Sequence, residues 1–345
     1  MYKSDNSIIA LDWVLKLTGL LDWMRYRCRR GITVLMYHKV LPQQDVDRYP
    51  MRNLIVESSV FRSQISWLTK NFEVLTMRDA IRIAMSADLG ISSRAKPLAC
   101  VTFDDGYLDN YQFAAPILEE FGINGTFFVT TGFIDGSPLW FDRAVYAWQA
   151  DRIAATDNAG KFVADWHKNF SAINTGGDWV GALKRCHPEV REKILGCVDY
   201  RLMKKDFVYS SMNWSQIRDL ESRGHEIGSH SVTHPILTGA DDANLQYELG
   251  ESRERLISET GADIHGICYP NGNYDDRVIE FCKTAGYRYG CTVERGLALT
   301  SNNLMSLRRR AILSSGRPDP KLVGYEAEVV GFHDFLRNSK KFMRC

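Results

Sequence analysis

Residues 97–105 read "PLACVTFDD", an apolar run that ends in two adjacent carboxylates, Asp104 and Asp105. A short apolar run bounded by polar residues is typical of a strand that is buried on both faces of a parallel sheet. Two neighbouring carboxylates that face one cavity raise each other's pKa, which costs stability unless a metal ion, a basic residue or solvent offsets the repulsion. The stretch therefore predicts a buried strand with a charge-balanced site at its end.

Runs of the same kind recur along the chain, with amphipathic helical segments between them. The strand-like runs include "ITVLMYHKV" (32–40), "GTFFVTTGFI" (125–134), "HEIGSH" (225–230), "GICYP" (266–270) and "YRYGCTV" (287–293). Apolar strands that alternate with helices indicate a parallel sheet wrapped by helices. The predicted fold class is therefore α/β.

Two helices of this series carry cap signals. Asn213 with Gln216 forms a predicted capping box, and Asn273 with Asp276 is expected to repeat the device before the stretch "RVIEFCKTAG".

Residues from about 135 to 211 interrupt the alternation. Two helix-like stretches, "WFDRAVYAWQADRIAAT" and "HPEVREKILGCVDYRLMKKD", follow each other there with no strand between them. We therefore expect a helical insertion on one loop of a catalytic domain that spans residues 31–312. Residues 313–345 are expected to form a C-terminal helical tail.

The first 30 residues are apolar but are interrupted by Asp12, Lys16 and Asp22. A spanning helix needs about 20 nearly uninterrupted apolar residues, and a signal peptide carries its basic residues before the apolar ones. Trp13, Leu17, Leu20, Leu21 and Met24 recur at helical spacing ahead of the basic "RYRCRR". The segment predicts an amphipathic helix, either packed on the protein or lying on a membrane surface. With no signal peptide, the expected location is the cytoplasm, with peripheral contact at the inner membrane face if the helix lies on a membrane surface.

Charge and cysteine content narrow the classes of partner. Lys and Arg number 43 against 42 Asp and Glu, so no electrostatic argument supports a nucleic-acid partner. The eight cysteines lie far apart and form no CxxC pair. Free buried thiols in a reducing compartment are therefore expected rather than a disulfide framework.

A second polar motif, "GHEIGSHSVTHP" (224–235), places His230 and His234 directly after a predicted strand. Two imidazoles at this spacing, with one aspartate of the acidic pair, would make a two-histidine, one-carboxylate metal site. Histidines with three residues between them are weak evidence alone, because such pairs are commonly polar surface. Both motifs, however, follow parallel strands, whose carboxyl ends share the rim where active sites collect.

"TFDDGY" followed by "HSVTHP" resembles the first two signature motifs of the NodB-type polysaccharide deacetylases, carbohydrate esterase family 4. The resemblance covers roughly residues 32–312 and implies a distorted (β/α) barrel and a divalent metal ion, with zinc favoured over cobalt or nickel. Carried onto this sequence, it implies that Asp104 is the catalytic base and that Asp105, His230 and His234 bind the metal.

The implied chemistry explains why two acids are adjacent. A divalent cation neutralises Asp105 and lowers the pKa of bound water from about 15.7 toward 7, so that Asp104 can stay ionised and accept the proton. The developing oxyanion is expected to be held by the metal and by a backbone N–H near Tyr107.

The third motif departs from the commonest family pattern. "CYPNG" (268–272) keeps the proline and glycine, but Cys268 stands where many members have an arginine that steadies the base. Similarity to a branch with YP-type third motifs suggests Arg309, in "SLRRRAI", as its substitute. The alternative is that Arg308, Arg309 and Arg310 form a solvated strand end.

The general acid is expected at His38. "LMYHKVLP" is similar to the opening of the circularly permuted branch typified by exopolysaccharide deacetylases, in which a histidine after the first strand has this role. An unperturbed imidazole pKa near 6.5 suits proton donation near neutrality. The alternative is a structural histidine that caps a strand.

Substrate contacts are expected from residues that flank the motifs. Tyr107 and Tyr269 could stack on sugar rings, and Pro270 and Gly272 belong to the third-motif loop that would line the substrate site. Trp140 and Tyr274 lie near the same rim, although aromatic side chains more often pack in a core.

Together these features predict a metal-dependent hydrolase that removes N-acetyl groups from a sugar in a polysaccharide or glycan precursor, such as a lipid-linked sugar. One alternative is a related hydrolase of another C–N bond in a small amide or ureide. A second is a catalytically silent carbohydrate-binding relative. Retention of all four residues of the paired motifs, Asp104, Asp105, His230 and His234, argues against the silent relative.

Overall fold

The computed structural model describes residues 18–86, 94–149, 176–196, 200, 203–301, 303–312 and 322–336. Its strands are β1 (Ile32–Tyr37), β2 (Lys39–Leu41), β3 (Ile55–Glu57), β4 (Glu73–Val74), β5 (Leu98–Phe103), β6 (Thr126–Val129), β7 (Glu226–Ser229), β8 (Gly266–Cys268), β9 (Tyr289–Cys291) and β10 (Arg310–Ala311). Its α-helices are α1 (Leu20–Arg27), α2 (Ser58–Asn71), α3 (Met77–Met85), α4 (Ala115–Glu120), α5 (Thr131–Ile134), α6 (Trp140–Gln149), α7 (Gly176–Lys184), α8 (Pro188–Leu195), α9 (Trp214–Ser222), α10 (Asp242–Gln246), α11 (Ser252–Thr260), α12 (Asp276–Thr284) and α13 (Val323–Val329). None of these helices has the length and apolar composition needed to cross a bilayer.

Eight strands form one sheet in the order β10-β1-β5-β6-β7-β8-β9, with β4 also beside β5. Every pairing in it is parallel. β1 and β5 are buried along their whole length, as expected for strands covered on both faces. The predicted α/β class is confirmed.

The segment that leads into β10 joins the two outer edges of this sheet. Leu307 forms a parallel bridge with Cys291 at the end of β9, and Arg310 pairs with Leu35 on β1. The sheet therefore curls back on itself into the distorted (β/α) barrel that the family resemblance implies. Its core includes Phe103 and Phe127, whose rings stack at 4.8 Å.

The two predicted helix caps have different outcomes. The capping box of Asn213 and Gln216 is present at the start of α9. At α12, however, the side chain of Asp275 caps by accepting from Val278 N–H, so the prediction of Asn273 is wrong. Asn273 still belongs to the turn that follows the third motif, where its side-chain oxygen accepts from Asn271.

The described part of residues 135–211 contains the three α-helices α6, α7 and α8 and no strand. These helices have their own apolar cluster around the fully buried Trp179, which also includes Tyr107 from the barrel. The insertion therefore packs directly against the loop that carries the acidic pair.

Both chain ends contribute helix to the described structure. α1 buries Leu21 and Met24 and exposes Trp23 and Tyr26, while the predicted stripe residues Trp13 and Leu17 lie outside the described residues. The predicted C-terminal tail contains the helix α13, while residues 313–321 and 337–345 of it lie outside the described residues.

Candidate active site

The sequence motifs meet at one rim of the barrel. Asp104 directly follows β5, His230 follows β7, and His38 follows β1. Cys268 ends β8, the neighbour of β7. Because these strands are parallel, their carboxyl ends bring the side chains into one site.

The backbone of the motifs is bent into the left-handed region. Positive φ angles occur at Asp105 (79°), Ser231 (66°), His234 (58°) and Asn271 (58°), which are four of the five non-glycine cases in the described chain. Each such residue costs about 1–3 kcal/mol and persists only where its surroundings enforce it. This clustering of strain at the three motifs is the pattern expected of a functional site.

Asp105, His230 and His234 converge around one point. The Nε2 atoms of His230 and His234 lie 3.5 Å and 3.6 Å from Asp105 Oδ1. Both carboxylate oxygens of Asp105 are buried without a hydrogen-bond partner among the described residues. Burial raises the pKa of Asp105 well above its usual value, and the charges of Asp104 and Asp142 add to this effect.

These three residues fit a divalent cation. A buried acid without a partner is costly, and a bound cation would supply the missing positive charge. His230 Nδ1 lies 2.7 Å from the carbonyl oxygen of Cys268, so donation there leaves Nε2 free to act as a ligand. The three ligands leave room for water and substrate.

A second group, Asp104, His230 and Cys268, also brings three ligand atoms close together. It is the poorer metal site for two reasons. Arg309 already occupies both oxygens of Asp104, and burial raises the pKa of the Cys268 thiol well above its usual value. Of the two groups, Asp105, His230 and His234 are therefore the better suited to hold a metal ion.

Arg309 lies on the inner face of the barrel and pairs with Asp104. Its two terminal nitrogens donate to the two Asp104 oxygens at 2.8 Å and 2.7 Å, and its Nε donates to Thr292 O at 2.9 Å. Burial raises the pKa of Asp104, but the charge and hydrogen bonds of Arg309 outweigh it and hold that pKa well below its usual range. The fully buried Arg309 is therefore not part of a solvated strand end.

His38 lies at the edge of the same site. Its Nε2 is 3.9 Å from Asp104 Oδ2, and its side chain is 19% exposed, so it can meet a substrate. Burial lowers the pKa of His38 to about 4, although the charge of Asp104 opposes the shift. The imidazole is therefore neutral near pH 7 and must gain a proton before it can donate one.

The expected substrate contacts of three residues are wrong, because their side chains are buried. Tyr107 is covered by the insertion, and its hydroxyl donates to Asp142 at 2.9 Å. Tyr269 is stacked on Tyr274, and its hydroxyl donates to Met305 O at 2.8 Å. Pro270 is also buried.

The remaining residue of this group, Gly272, is partly exposed and has φ of 75°. A Cβ at Gly272 would lie 2.3 Å from Val293 Cγ2. Residue 272 therefore has to be a glycine, because the chain at Val293 lies too close for a side chain there.

Sequence reasoning did not find a buried charge cluster beside the candidate metal site. Lys39 is fully buried, with Nζ 2.6 Å from Val208 O, 3.5 Å from Asp109 Oδ2 and 3.1 Å from the centroid of the Tyr107 ring. The sequence feature that could have revealed it is the position of Lys39, a charged residue next to His38 within an apolar run. The cluster joins the first barrel loop to the insertion.

A family model for polysaccharide deacetylase matches residues 92–164 and 188–290 of the chain. The chain belongs to this family. As a polysaccharide deacetylase it is a carbohydrate N-deacetylase, a hydrolase of C–N bonds other than peptide bonds. YxkH of Bacillus subtilis, whose name describes it as a polysaccharide deacetylase, is 21% identical over 288 residues, covering 83% of this chain and 73% of its own.

Solved structures support the fold of this polysaccharide deacetylase. The deacetylase PplD of Streptococcus pyogenes, in complex with acetate, superposes with a TM-score of 0.55 at 21% identity, covering 83% of this chain and 93% of its own. IcaB from Ammonifex degensii superposes with a TM-score of 0.55 at 18% identity, covering 86% of this chain and 97% of its own. At these identities the similarity shows the fold alone.

In this polysaccharide deacetylase the insertion supports His234, a residue of the candidate metal site. Trp140 Nε1 donates to His234 O at 3.1 Å, and the Phe141 ring lies edge-on to the His234 imidazole at 5.0 Å. Trp140 is buried, so it supports His234 instead of stacking on a sugar. From the same insertion, Lys184 donates to the side-chain oxygen of Asn271 in the third motif.

Trp140→Phe keeps an aromatic ring but removes this N–H donor. We expect about tenfold weaker binding of a divalent metal, because groups that orient a metal ligand typically contribute at least this much. Competition with a chelator measures the affinity. Trp148→Phe, on the same helix, is the matched control, and equal affinities in the two variants would contradict the assigned role of Trp140.

Proposed function

We propose that this protein is a metal-dependent enzyme that removes N-acetyl groups from an N-acetylated sugar in a polysaccharide or glycan precursor. The observation that carries the proposal is the unpartnered Asp105 carboxylate beside His230 and His234, next to the buried pair of Asp104 and Arg309. One group of residues is suited to hold a cation, and the other is suited to keep a base ionised.

Asp105, His230 and His234 would hold the metal. Their nitrogen and oxygen donors favour zinc, with cobalt or nickel as alternatives. When bound, the cation would polarise the acetamide carbonyl and acidify the attacking water.

Asp104 acts as the base. Arg309 keeps it ionised, so it can take one proton from the attacking water while the oxygen bonds to the acetamide carbon. The C–N bond then breaks, acetate leaves, and the sugar nitrogen takes up a proton to become a free amine.

His38 is suited to deliver the proton to the leaving nitrogen. In the free enzyme it is neutral and close to Asp104, so it can receive a proton released during the attack and pass it on. This order of proton transfers agrees with the low pKa of His38, since His38 gains its proton within the reaction.

The N–H of Tyr107 is suited to hold the carbonyl oxygen. The bridge between Tyr107 and Ser211 uses Leu108 N–H and Gly106 C=O, not the N–H of Tyr107 itself. The burial of the Tyr107 ring therefore does not remove this backbone role.

The enzyme is proposed to act in the cytoplasm, at the inner membrane face, on a glycan or a lipid-linked sugar. The test is acetate release from a panel that contains an N-acetylated oligosaccharide, a polymer and a lipid-linked N-acetyl sugar, each with zinc, cobalt or nickel and after chelation. Acetate release that is lost on chelation and restored by a metal supports the proposal. Turnover of small amides or ureides alone would favour the alternative hydrolase.

His38→Gln tests the general acid. The rate should fall roughly 10²- to 10⁴-fold on an N-acetyl sugar, the range for general acid catalysis, but much less on an activated aryl acetate whose leaving group needs no proton. Steady-state kinetics on both substrates decide the question. Equal losses would instead assign His38 a structural role.

A further inference from the structure

A cavity of about 780 Å³ lies outside the barrel, between α1, the loop of residues 295–299 and the C-terminal helical region. Five arginines line it: Arg27, Arg30, Arg295, Arg308 and Arg310. No residue of the candidate active site is among its lining residues. The reaction proposed above therefore does not explain this concentration of positive charge.

Alternation along one short segment places two of these arginines here. Arg309 points into the barrel toward Asp104, so Arg308 and Arg310 on either side of it point outward. The Arg310 side chain is only 5% exposed and is paired with Asp334. Its Nε is buried and has no hydrogen-bond partner among the described residues. A buried guanidinium with an unused donor is suited to an anionic ligand.

Nearby acids do not cancel the positive charge. Asp334 pairs with Arg295 and Arg310, Glu328 pairs with Arg295, and Glu294 lies 3.3 Å from Arg308. Five arginines against these three carboxylates leave two positive charges in excess. Arg27 and Arg30 are both exposed, so they present their charge to solvent at the cavity.

Exposed apolar side chains line this cavity or lie on α1, the helix that forms one of its walls. Trp23 and Tyr26 on α1, with the lining residues Leu299 and Phe335, are four of the seven large apolar side chains exposed in the described chain. Arg27 lies over the Trp23 ring at 4.9 Å. Aromatic rings beside basic residues are the composition of the membrane–water interface, where the rings lie at headgroup depth and the cations meet anionic lipid.

We propose that this cavity binds the phosphate headgroup of an anionic lipid, with Trp23 and Tyr26 inserted into the membrane surface beside it. The arginines supply the phosphate contacts. The exposed aromatic side chains favour a lipid over free phosphate, because a soluble ion makes no favourable contact with apolar side chains.

The test uses the full chain and sedimentation with phosphatidylglycerol or phosphatidylcholine vesicles. The protein should sediment with the anionic vesicles and not with the neutral ones. Arg27→Gln with Arg30→Gln should weaken the partition about 30-fold, since each basic residue near an anionic surface contributes roughly a fivefold factor. Arg82→Gln with Arg218→Gln, the same change of net charge on helices elsewhere, should leave it within about twofold.

A second pair of variants tests the aromatic side chains. Trp23→Ala with Tyr26→Ala should reduce sedimentation with anionic vesicles at least tenfold. Met85→Ala with Tyr247→Ala removes equally exposed apolar side chains elsewhere and should not reduce it. Circular dichroism and acetate release from a soluble oligosaccharide should be unchanged in both test variants, which separates this proposal from the proposed function.

Three results would overturn the proposal: no sedimentation with anionic vesicles, equal sedimentation with neutral ones, or equal losses in the test and control variants. Thermal stabilisation by millimolar inorganic phosphate, without vesicle binding, would identify a site for a free anion and would also overturn it.

Discussion

Asp104→Asn is expected to retain the metal and lose turnover by at least 10²-fold, whereas His230→Ala is expected to lose metal and turnover together. The difference follows from the two positions. Asp104 is held by Arg309 on one side of the site, while His230 faces the unpartnered carboxylate of Asp105. An amide at residue 104 cannot accept the proton of water, and general base catalysis contributes about 10²- to 10⁴-fold.

Metal content of the purified variants, together with acetate release, measures both effects. His234→Ala should behave as His230→Ala does. His265→Ala is the matched control, because His265 is a partly buried histidine that pairs with Asp263 outside the site. Stoichiometric metal and normal activity in His230→Ala would refute the metal assignment.

Arg309→Met is expected to lower the free energy of unfolding by about 3–5 kcal/mol. Removing one partner of a buried ion pair leaves the other charge buried without compensation. Asp104 then has to remain ionised at high cost or take up a proton, and a protonated Asp104 cannot act as the base. We therefore expect kcat to fall together with stability.

Urea unfolding of two further variants separates this effect from general damage. Arg308→Met changes an exposed neighbour, 56% exposed in its side chain, and should alter the free energy of unfolding by no more than about 0.5 kcal/mol. Asp104→Asn combined with Arg309→Met should be less destabilised than the sum of the single variants, because the unpaired charge is gone. If Arg309→Met unfolds like the wild type, the pair does not stabilise the site.

The parallel sheet and its rim could be predicted because their signals are local, whereas the closure of the sheet into a barrel was implied by the family resemblance. Buried parallel strands appear as apolar runs, and a polar motif at the end of each run must lie on the common rim. The pattern places Asp104, Asp105, His230 and His234 on this rim, and the resemblance to the family motifs implies their separate roles.

The buried tyrosines could not be predicted, because contacts distant in sequence decide their burial. Tyr107 lies beside the acidic pair in sequence. Its hydroxyl, however, donates a hydrogen bond to Asp142, which lies on the insertion 35 residues further along the chain. The same holds for Trp140, whose partner is the carbonyl oxygen of His234. A rim position alone does not show whether an aromatic ring faces the substrate or the insertion.

Three consecutive arginines, Arg308 and Arg309 before β10 and Arg310 at its start, also make the inward-facing position beside Asp104 tolerant of a register error. The strand is only two residues long, and Leu35 opposite Arg310 sets its alignment with β1. A slip by one residue normally exchanges the two faces of a strand. Here a slip in either direction would replace Arg309 with Arg310 or Arg308, so a guanidinium would still point toward Asp104. The outward-facing positions would change in such a slip, since Leu307 or Ala311 would replace one of the two arginines that now line the outer cavity.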